Sequence, residues 1–496
     1  MIHAVIFGRP FFFFDTWEFY AFGKDIVGAA SMPWSWSEPM PERDLWSSRI
    51  VFRDSLEENR RLFDLTLSSV RARSEFYAVP LYALNSVWSV AAVQSLLVAL
   101  LLRAAAVPFG GGRPLRRYLA WVAVLVLTTP LPFVATYLMP DIFSGMVVLL
   151  VMMLVLFRRQ LSSGVVLALF LLLVYCLNVH TVGPALAATG IVVLGTLCLF
   201  LGMGREVRGG LGLAVAAVVV ALAINWMSGL WLNRIFDRPV QKPPFLLARV
   251  MLDGPGQAYL RDVCPDAGFV SCELAHVPLR NSESFLWPNE GTVEFSPISD
   301  PGRRASFYSE QWPIVTEAVL RYPLQQAKAS AILSAKQLFK FRVKTDHGLA
   351  GQRTLQGDPH PAAVTAAIMP KAEECLSPAN ENVCGSVYSD KLWRMIDIVN
   401  AAAAFLAAAF VLYSGYSFAK GGFGKEMRPA LVASFYLLIM VAANAVICGA
   451  LSGAYDRYQT KAVWMSVLAA LIAQAALQRK ASSFPASAHR DVPAGA

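Results

Sequence analysis

The sequence predicts an all-α polytopic membrane protein with about nine transmembrane helices. It also predicts an extracytoplasmic N-terminal segment and a large extracytoplasmic loop of mixed, mainly helical and irregular structure. Three observations carry this. Nine apolar stretches, near 80–102, 118–138, 141–157, 161–178, 183–203, 210–233, 395–415, 429–450 and 461–478, are long enough, or nearly so, to cross ~30 Å of hydrocarbon as helices. Arg and Lys fall in every second connection between these stretches. The composition, 56% hydrophobic and 16% charged over 496 residues with a mean hydropathy of +0.49, belongs to a chain dissolved in lipid rather than to a soluble globule.

The first element, residues 1–79, carries eleven acids and nine bases. Met1 to Phe14 is apolar but broken by Arg9 and Pro10, and it lacks the n-region, h-region and cleavage site of a signal peptide. Charge topology nonetheless places the segment outside the cytoplasm. The expectation is therefore a further transmembrane helix upstream of Met1, the rival being a wedge of Pro10 to Phe14 at headgroup level. Residues 44–79 spread Leu45, Ile50, Phe52, Leu56, Leu62 and Phe63 among charges, a pattern suited to a helix lying on the membrane surface.

Six spans follow in residues 80–233. Arg103, Arg113, Arg116 and Arg117 follow the first, Arg158 and Arg159 the third, Arg205 and Arg208 the fifth. Lys420, Lys425 and Arg428 follow the seventh span, and Arg479 with Lys480 the ninth. The connections around Asp141 and from Asn178 to Thr181 carry no Lys or Arg. Under the positive-inside rule the basic connections are cytoplasmic. Residues 1–79, the segment 234–394 and the turn around Asp456 then lie outside.

Within 234–394, Pro239 to Gly256 is rich in Pro and Gly, and Glu310 to Arg342 has helical spacing that Pro323 divides into two helices. Residues 395–478 supply three more spans, and 479–496 form a polar cytoplasmic tail predicted to be disordered. Of seven cysteines, Cys176, Cys198 and Cys448 lie in apolar spans as small core residues. Cys264, Cys272, Cys375 and Cys384 all fall in 234–394. Local bridges Cys264–Cys272 and Cys375–Cys384 suit an oxidising compartment, and a zinc site is the rival without a C-x-x-C pair.

Several function classes lose ground here. The net charge of +9 is spread over short connections, with no basic stripe interleaved with aromatics, so no nucleic-acid partner is expected. The cytoplasmic connections are too short for a nucleotide-binding domain, and Gly424-Lys425 is followed by Glu426 rather than Ser or Thr. The spans hold no Asp, Glu, Lys or Arg away from their ends, which counts against an ion-coupled transporter.

The acids gather instead at the external edge. Asp15 follows the run Phe11 to Phe14; Asp141 opens the third span; Asp456 precedes the last. Asp141 has two readings, helix capping after Pro140 or catalysis. His180, beyond the fourth span, either takes part in proton transfer or sits hydrogen-bonded with Asn178. Arg457 and Lys461 break the charge rule on the external side. Arg457 is read as a surface partner of Asp456, with Tyr455 and Tyr458 as interfacial anchors, or as a cation holding a lipid phosphate.

In order, these features resemble the GT-C superfamily of integral-membrane glycosyltransferases. The matching pieces are Asp15 with Tyr20; "RARSEFYAVPLYAL" with Arg73 and Tyr77; Gln94 in "VAAVQSLLVALLL"; "RPLRRY"; Asp141 as a second external acid; and Arg457-Tyr458 before the closing span. The resemblance covers mainly residues 10–160 and 450–478, with Ser74-Glu75 replacing the family's proline pattern and 234–394 as a large insertion. It implies a bacterial-type inner (cytoplasmic) membrane protein that takes a sugar from a polyprenyl-phosphate carrier and delivers it to an envelope acceptor. On that reading Asp15 is the general base and Asp141 orients the acceptor or a divalent metal ion. Arg457 neutralises the leaving phosphate, and Tyr20, Arg73, Tyr77, His180 and Tyr458 line the substrate. The alternatives are a polysaccharide polymerase or ligase leaning on Arg280, Arg303, Arg304 and Arg321, and a non-catalytic exporter or flippase of lipid-linked glycans.

Overall fold

The computed structural model describes residues 1–6, 16–30, 73–84, 86–109, 114–236, 240, 242–279, 285–286, 301–343, 388–421 and 427–483, which are helical with no strand among them. Asp15, the surface helix expected over most of 44–79, Arg280 and the pair Cys375–Cys384 lie outside these residues.

Helices α1 (Ile2–Ile6) and α2 (Thr16–Ala30) precede α3 (Glu75–Leu84). Gly23 lets α2 lie directly on α3: a Cβ there would run into the Ala78 carbonyl oxygen. The stretch expected to span from 80 begins inside α3 and breaks before Ser86, whose hydroxyl caps α4 (Val87–Ala106) by accepting from Ser89 N at 3.3 Å.

The stretch 118–138 does not form one span. Helix α5 (Pro114–Thr128) stops where Pro130 and Pro132 remove backbone donors. Thr129 Oγ1 donates to Leu125 O (2.6 Å) and accepts from Leu131 N (3.3 Å), after which α6 (Leu131–Val134) is a single turn. Residues 129–140 are nonetheless all buried. Irregular backbone at such depth is tolerated because protein, not lipid, surrounds it.

Next come α7 (Asp141–Met152), continued by a π turn at Met153–Phe157, then α8 (Ser163–Val179), α9 (Gly183–Phe200) and α10 (Gly204–Ile235). Every residue of α7 is buried, so this helix is the axis of the bundle. Two glycines let neighbours close on it. A Cβ on Gly210 would meet Leu154 O at 2.5 Å, and one on Gly145 would meet Trp464 Cζ2 at 2.8 Å.

Five helices then build an outer layer: α11 (Phe245–Asp253), α12 (Pro255–Val263), α13 (Pro301–Ser309), α14 (Gln311–Arg321) and α15 (Pro323–Leu338). Pro323 opens α15, where its missing N–H costs nothing. Leu247, Met251, Leu260, Phe307 and Ile314 form a second core there. The Glu310 carboxylate ties the turn Val270–Leu274 to it, accepting from Val270 N (2.7 Å), Ser271 N (2.9 Å) and Ser271 Oγ (2.6 Å). Cys264 and Cys272 are disulfide-bonded across the same turn.

The bundle closes with α16 (Asp390–Gly421), α17 (Arg428–Leu451) and α18 (Asp456–Ser483). Among the described residues, seven helical segments are long and apolar enough to cross a membrane: Trp88–Phe109, Asp141–Gln160, Gly183–Phe200, Gly204–Ile235, Asp390–Gly421, Arg428–Leu451 and Asp456–Gln478; Ser163–Val179 is a shorter apolar helix. Their outward faces expose Val219, Leu222, Trp226, Phe405, Leu406 and Leu412, as a lipid-facing surface does. At one end the basic connections meet: Arg428 Nη1 donates to Leu201 O (3.0 Å), and the Arg158 guanidinium lies against Gly209. The charged cluster described next lies elsewhere, at the N-termini of α7 and α18.

Candidate functional site

Three helix ends converge on one buried carboxylate. Asp141 is the first residue of α7, where an acid favours the helix dipole. Only 2% of its side chain is exposed. Its Oδ1 lies 3.9 Å from His180 Nε2, 4.0 Å from Arg457 Nε and 3.9 Å from Lys461 Nζ. Among the described residues neither Asp141 oxygen accepts a hydrogen bond, and the Ser144 hydroxyl one turn on has no partner either. The capping reading of Asp141 therefore fails: Pro140 is the N-cap and no side chain caps the helix. Charged groups stand around the carboxylate at 3.9 to 4.0 Å, just beyond hydrogen-bond reach.

Each neighbour is fixed by its own surroundings. His180 follows α8, and its Nδ1 accepts from Val182 N at 3.2 Å. In the neutral ring the proton is then on Nε2, facing Asp141 and Lys461 Nζ (3.5 Å). Burial, then Lys461 and Arg457, push the His180 pKa well below the usual imidazole value, so the ring is neutral. The hydrogen bond expected between His180 and the Asn178 side chain is not made: Asn178 Nδ2 donates to Val174 O at 2.9 Å.

Arg457 and Lys461 lie one turn apart at the start of α18. Both hold their charge over the Tyr458 ring, at 5.4 and 5.2 Å from its centroid. Lys461 is 1% exposed, a burial tolerable for a cation only beside an anion and a π face. Arg457 faces Asp141, while Asp456 accepts from Arg342 N at 2.9 Å. The crossing that brings α7 and α18 together sits directly below: a Cβ on Gly145 would meet Lys461 O at 3.0 Å, and Trp464 Nε1 donates to that same oxygen at 2.9 Å.

The turn ahead of Asp141 is held by the other sequence motifs. Tyr77 donates to Gln94 Oε1 (3.0 Å), and Gln94 Nε2 donates to Tyr137 O (2.9 Å). Thr16, the residue after Asp15, donates to Leu138 O at 3.0 Å. Tyr77, with Phe19 and Phe143 edge-on to its ring, is thus a buried strut behind the Asp141 turn rather than part of an open lining. Arg73 lies over the Phe19 ring (5.7 Å), and Tyr20 packs on Tyr82 (5.3 Å). Neither is among the groups around Asp141.

Sequence reading singled out Asp141, His180, Arg457 and Tyr458, which do come together. It flagged Lys461 as an exception to the charge rule but gave it no role; its position four residues after Arg457, on the same helix face, was the available signal. Gly145 carried no signal at all. Of the arginines expected for a polymerase, Arg303 pairs with Glu273, and Arg321 pairs with Glu317 (3.5 Å) and stacks on Tyr259 (4.9 Å). For a divalent cation the fit is poor. No group of three or more His, Cys, Asp or Glu is arranged to hold one among the described residues, and the two cations beside Asp141 oppose it.

Together the fold and this cluster define a polytopic helical membrane protein with a buried carboxylate, an imidazole and two cations gathered at one end of its bundle. No protein-family model, curated protein sequence or solved structure matches the chain.

Proposed function

We propose that this protein is a membrane glycosyltransferase moving a sugar from a polyprenyl-phosphate donor to an envelope acceptor on the extracytoplasmic face of a bacterial-type inner membrane. The observation that supports it most is the buried Asp141 carboxylate, flanked by His180 and by two cations that lie over the Tyr458 ring. Such a site suits a reaction in which a hydroxyl is oriented while negative charge grows on a phosphate.

In the proposed step the acceptor oxygen attacks the anomeric carbon and its proton passes to a carboxylate. The bond from that carbon to the phosphate oxygen breaks, and its electron pair leaves with the polyprenyl phosphate. Asp15 is the proposed base, a role worth roughly 10²–10⁴-fold. Asp141 orients the acceptor hydroxyl, and Arg457 with Lys461 offsets the charge on the leaving phosphate. No step uses a metal.

The test is transfer of radiolabelled sugar from polyprenyl-phosphate donors in membrane vesicles carrying the wild type, Asp15→Asn or Asp141→Asn. The expected result is transfer by the wild type and a fall of roughly 10²-fold or more in each variant. Transfer unchanged in Asp15→Asn removes the base assignment. Absence of wild-type transfer from every donor, with lipid-linked glycan crossing the bilayer instead, replaces the enzyme by an exporter.

A further inference from the structure

The outer layer touches the bundle mainly through α15, and this helix has an exposed stripe that its protein contacts leave open. Its inward side is set by Ser334, whose backbone lies so near Gly449 that a Cβ there would stand 2.6 Å from Ser334 Cα. Gln337 continues that side, donating to Tyr455 O (2.9 Å) and accepting from Tyr455 N (2.8 Å). Gly449 belongs to the last turn of α17, a helix ~36 Å long at 1.5 Å per residue. The helix α15 is thereby held level with the last turn of α17 and the turn that follows it.

A second marker gives the depth. Phe339 stacks on Phe405 (centroids 6.4 Å apart, planes 25°), and Phe405 lies two turns past Asp397, inside the apolar part of α16. Phe339, Phe405 and Ile332 are 63%, 57% and 45% exposed, and this patch runs into the lipid-facing side of the spans. Lys328 and Lys336 sit one turn either side of Ile332, with Lys340 beside Phe339. None of the three makes an ion pair among the described residues. Exposed apolar side chains sharing one stripe with lysines whose long stems can reach up to phosphate suit a helix lying in an interface.

We propose that α15 is an in-plane membrane helix binding anionic phospholipid: Ile332 and Phe339 enter the acyl region of one leaflet, and Lys328, Lys336 and Lys340 hold headgroup phosphates. The helix makes the lipid surface a third support, besides α17 and the 452–458 turn, of the layer that covers the Asp141 end. The proposal stands on the membrane fold alone and is independent of the glycosyltransferase reading.

The experiment uses the full chain in vesicles of phosphatidylcholine alone and of phosphatidylcholine with phosphatidylglycerol, with a nitroxide on Ile332→Cys. The expected result is collision with oxygen several-fold above collision with a water-soluble nickel chelate. Equal or greater collision with the chelate overturns the proposal. Protection from both reagents, or spin–spin broadening between labelled chains, shows a protein partner or a second copy there and overturns it too. For the lysines, spin-labelled phosphatidylglycerol should be enriched over phosphatidylcholine in the protein's boundary layer. Lys328→Gln/Lys336→Gln/Lys340→Gln should erase that preference, and an undiminished preference removes the phosphate contacts.

Discussion

Lys461 is a cation placed almost wholly out of contact with solvent. A lysine with 1% of its side chain exposed needs its charge matched, and the nearest anion is an Asp141 carboxylate that itself accepts no hydrogen bond. Removing one partner strands the other. Asp141→Asn is expected to destabilise the protein by about 3–5 kcal/mol, read from thermal unfolding in detergent. The double variant Asp141→Asn/Lys461→Met should recover much of that loss, because an apolar side chain of similar length needs no counter-charge. Strictly additive losses in the cycle would show that the two charges do not interact. Sugar transfer should stay lost in the double variant, which separates the proposed chemical role from the structural one.

Among the elements, the α7–α18 crossing decides whether the site exists. Asp141 and Lys461 meet only because the residue one turn below Asp141 has no side chain. In Gly145→Ala the new methyl has nowhere to go but against the Trp464 ring and the Lys461 carbonyl. The expected cost is about 1–3 kcal/mol in unfolding measurements, with a larger one for Gly145→Val. A Gly145→Ala protein as stable as the wild type would mean that the helices are not in contact there. The π turn at Met153–Phe157 faces α10 through the same device, since Gly210 admits the Leu154 and Val155 backbone. Two glycines thus set the spacing around the central helix.

For the whole molecule, the outer layer and the bundle share the turn that carries the cations. Arg249 donates to Ser452 O at 2.9 Å, Gln337 satisfies both backbone groups of Tyr455, and Asp456 is met by Arg342 N. Gln337→Ala removes the side-chain partner of both Tyr455 backbone groups, of which the carbonyl keeps Tyr458 N at 3.2 Å, and is expected to cost about 1–3 kcal/mol. The expected readout is faster amide hydrogen exchange across residues 452–461, with exchange in α7 unchanged. Unaltered exchange at Tyr455 would show that the outer layer does not hold the turn.

Much of this was legible from spacing. The apolar stretches marked the membrane helices because length and hydropathy suffice for that, and the basic connections marked those that meet around Arg158, Leu201 and Arg428. The order of motifs pointed to Asp141, Arg457 and Tyr458 together with Asp15, Tyr20, Arg73 and Tyr77, and His180 was singled out separately by its place beyond the fourth span. Tyr77 read as substrate lining, yet its hydroxyl is spent on Gln94 behind the Asp141 turn. Nor did hydropathy show that 118–138 stops at Thr128, because Leu131 to Leu138 is as apolar as a span. Two prolines and the Thr129 hydroxyl end the helix, and burial in protein lets the irregular backbone stay.

By itself, then, the sequence determined a polytopic helical membrane protein with its unusual charges near helix ends, since burial in lipid is a property of each stretch alone. Only the tertiary structure decided that those charges face one carboxylate, and at what distance. That depends on helices far apart in the chain touching at Gly145, a contact that no local pattern encodes.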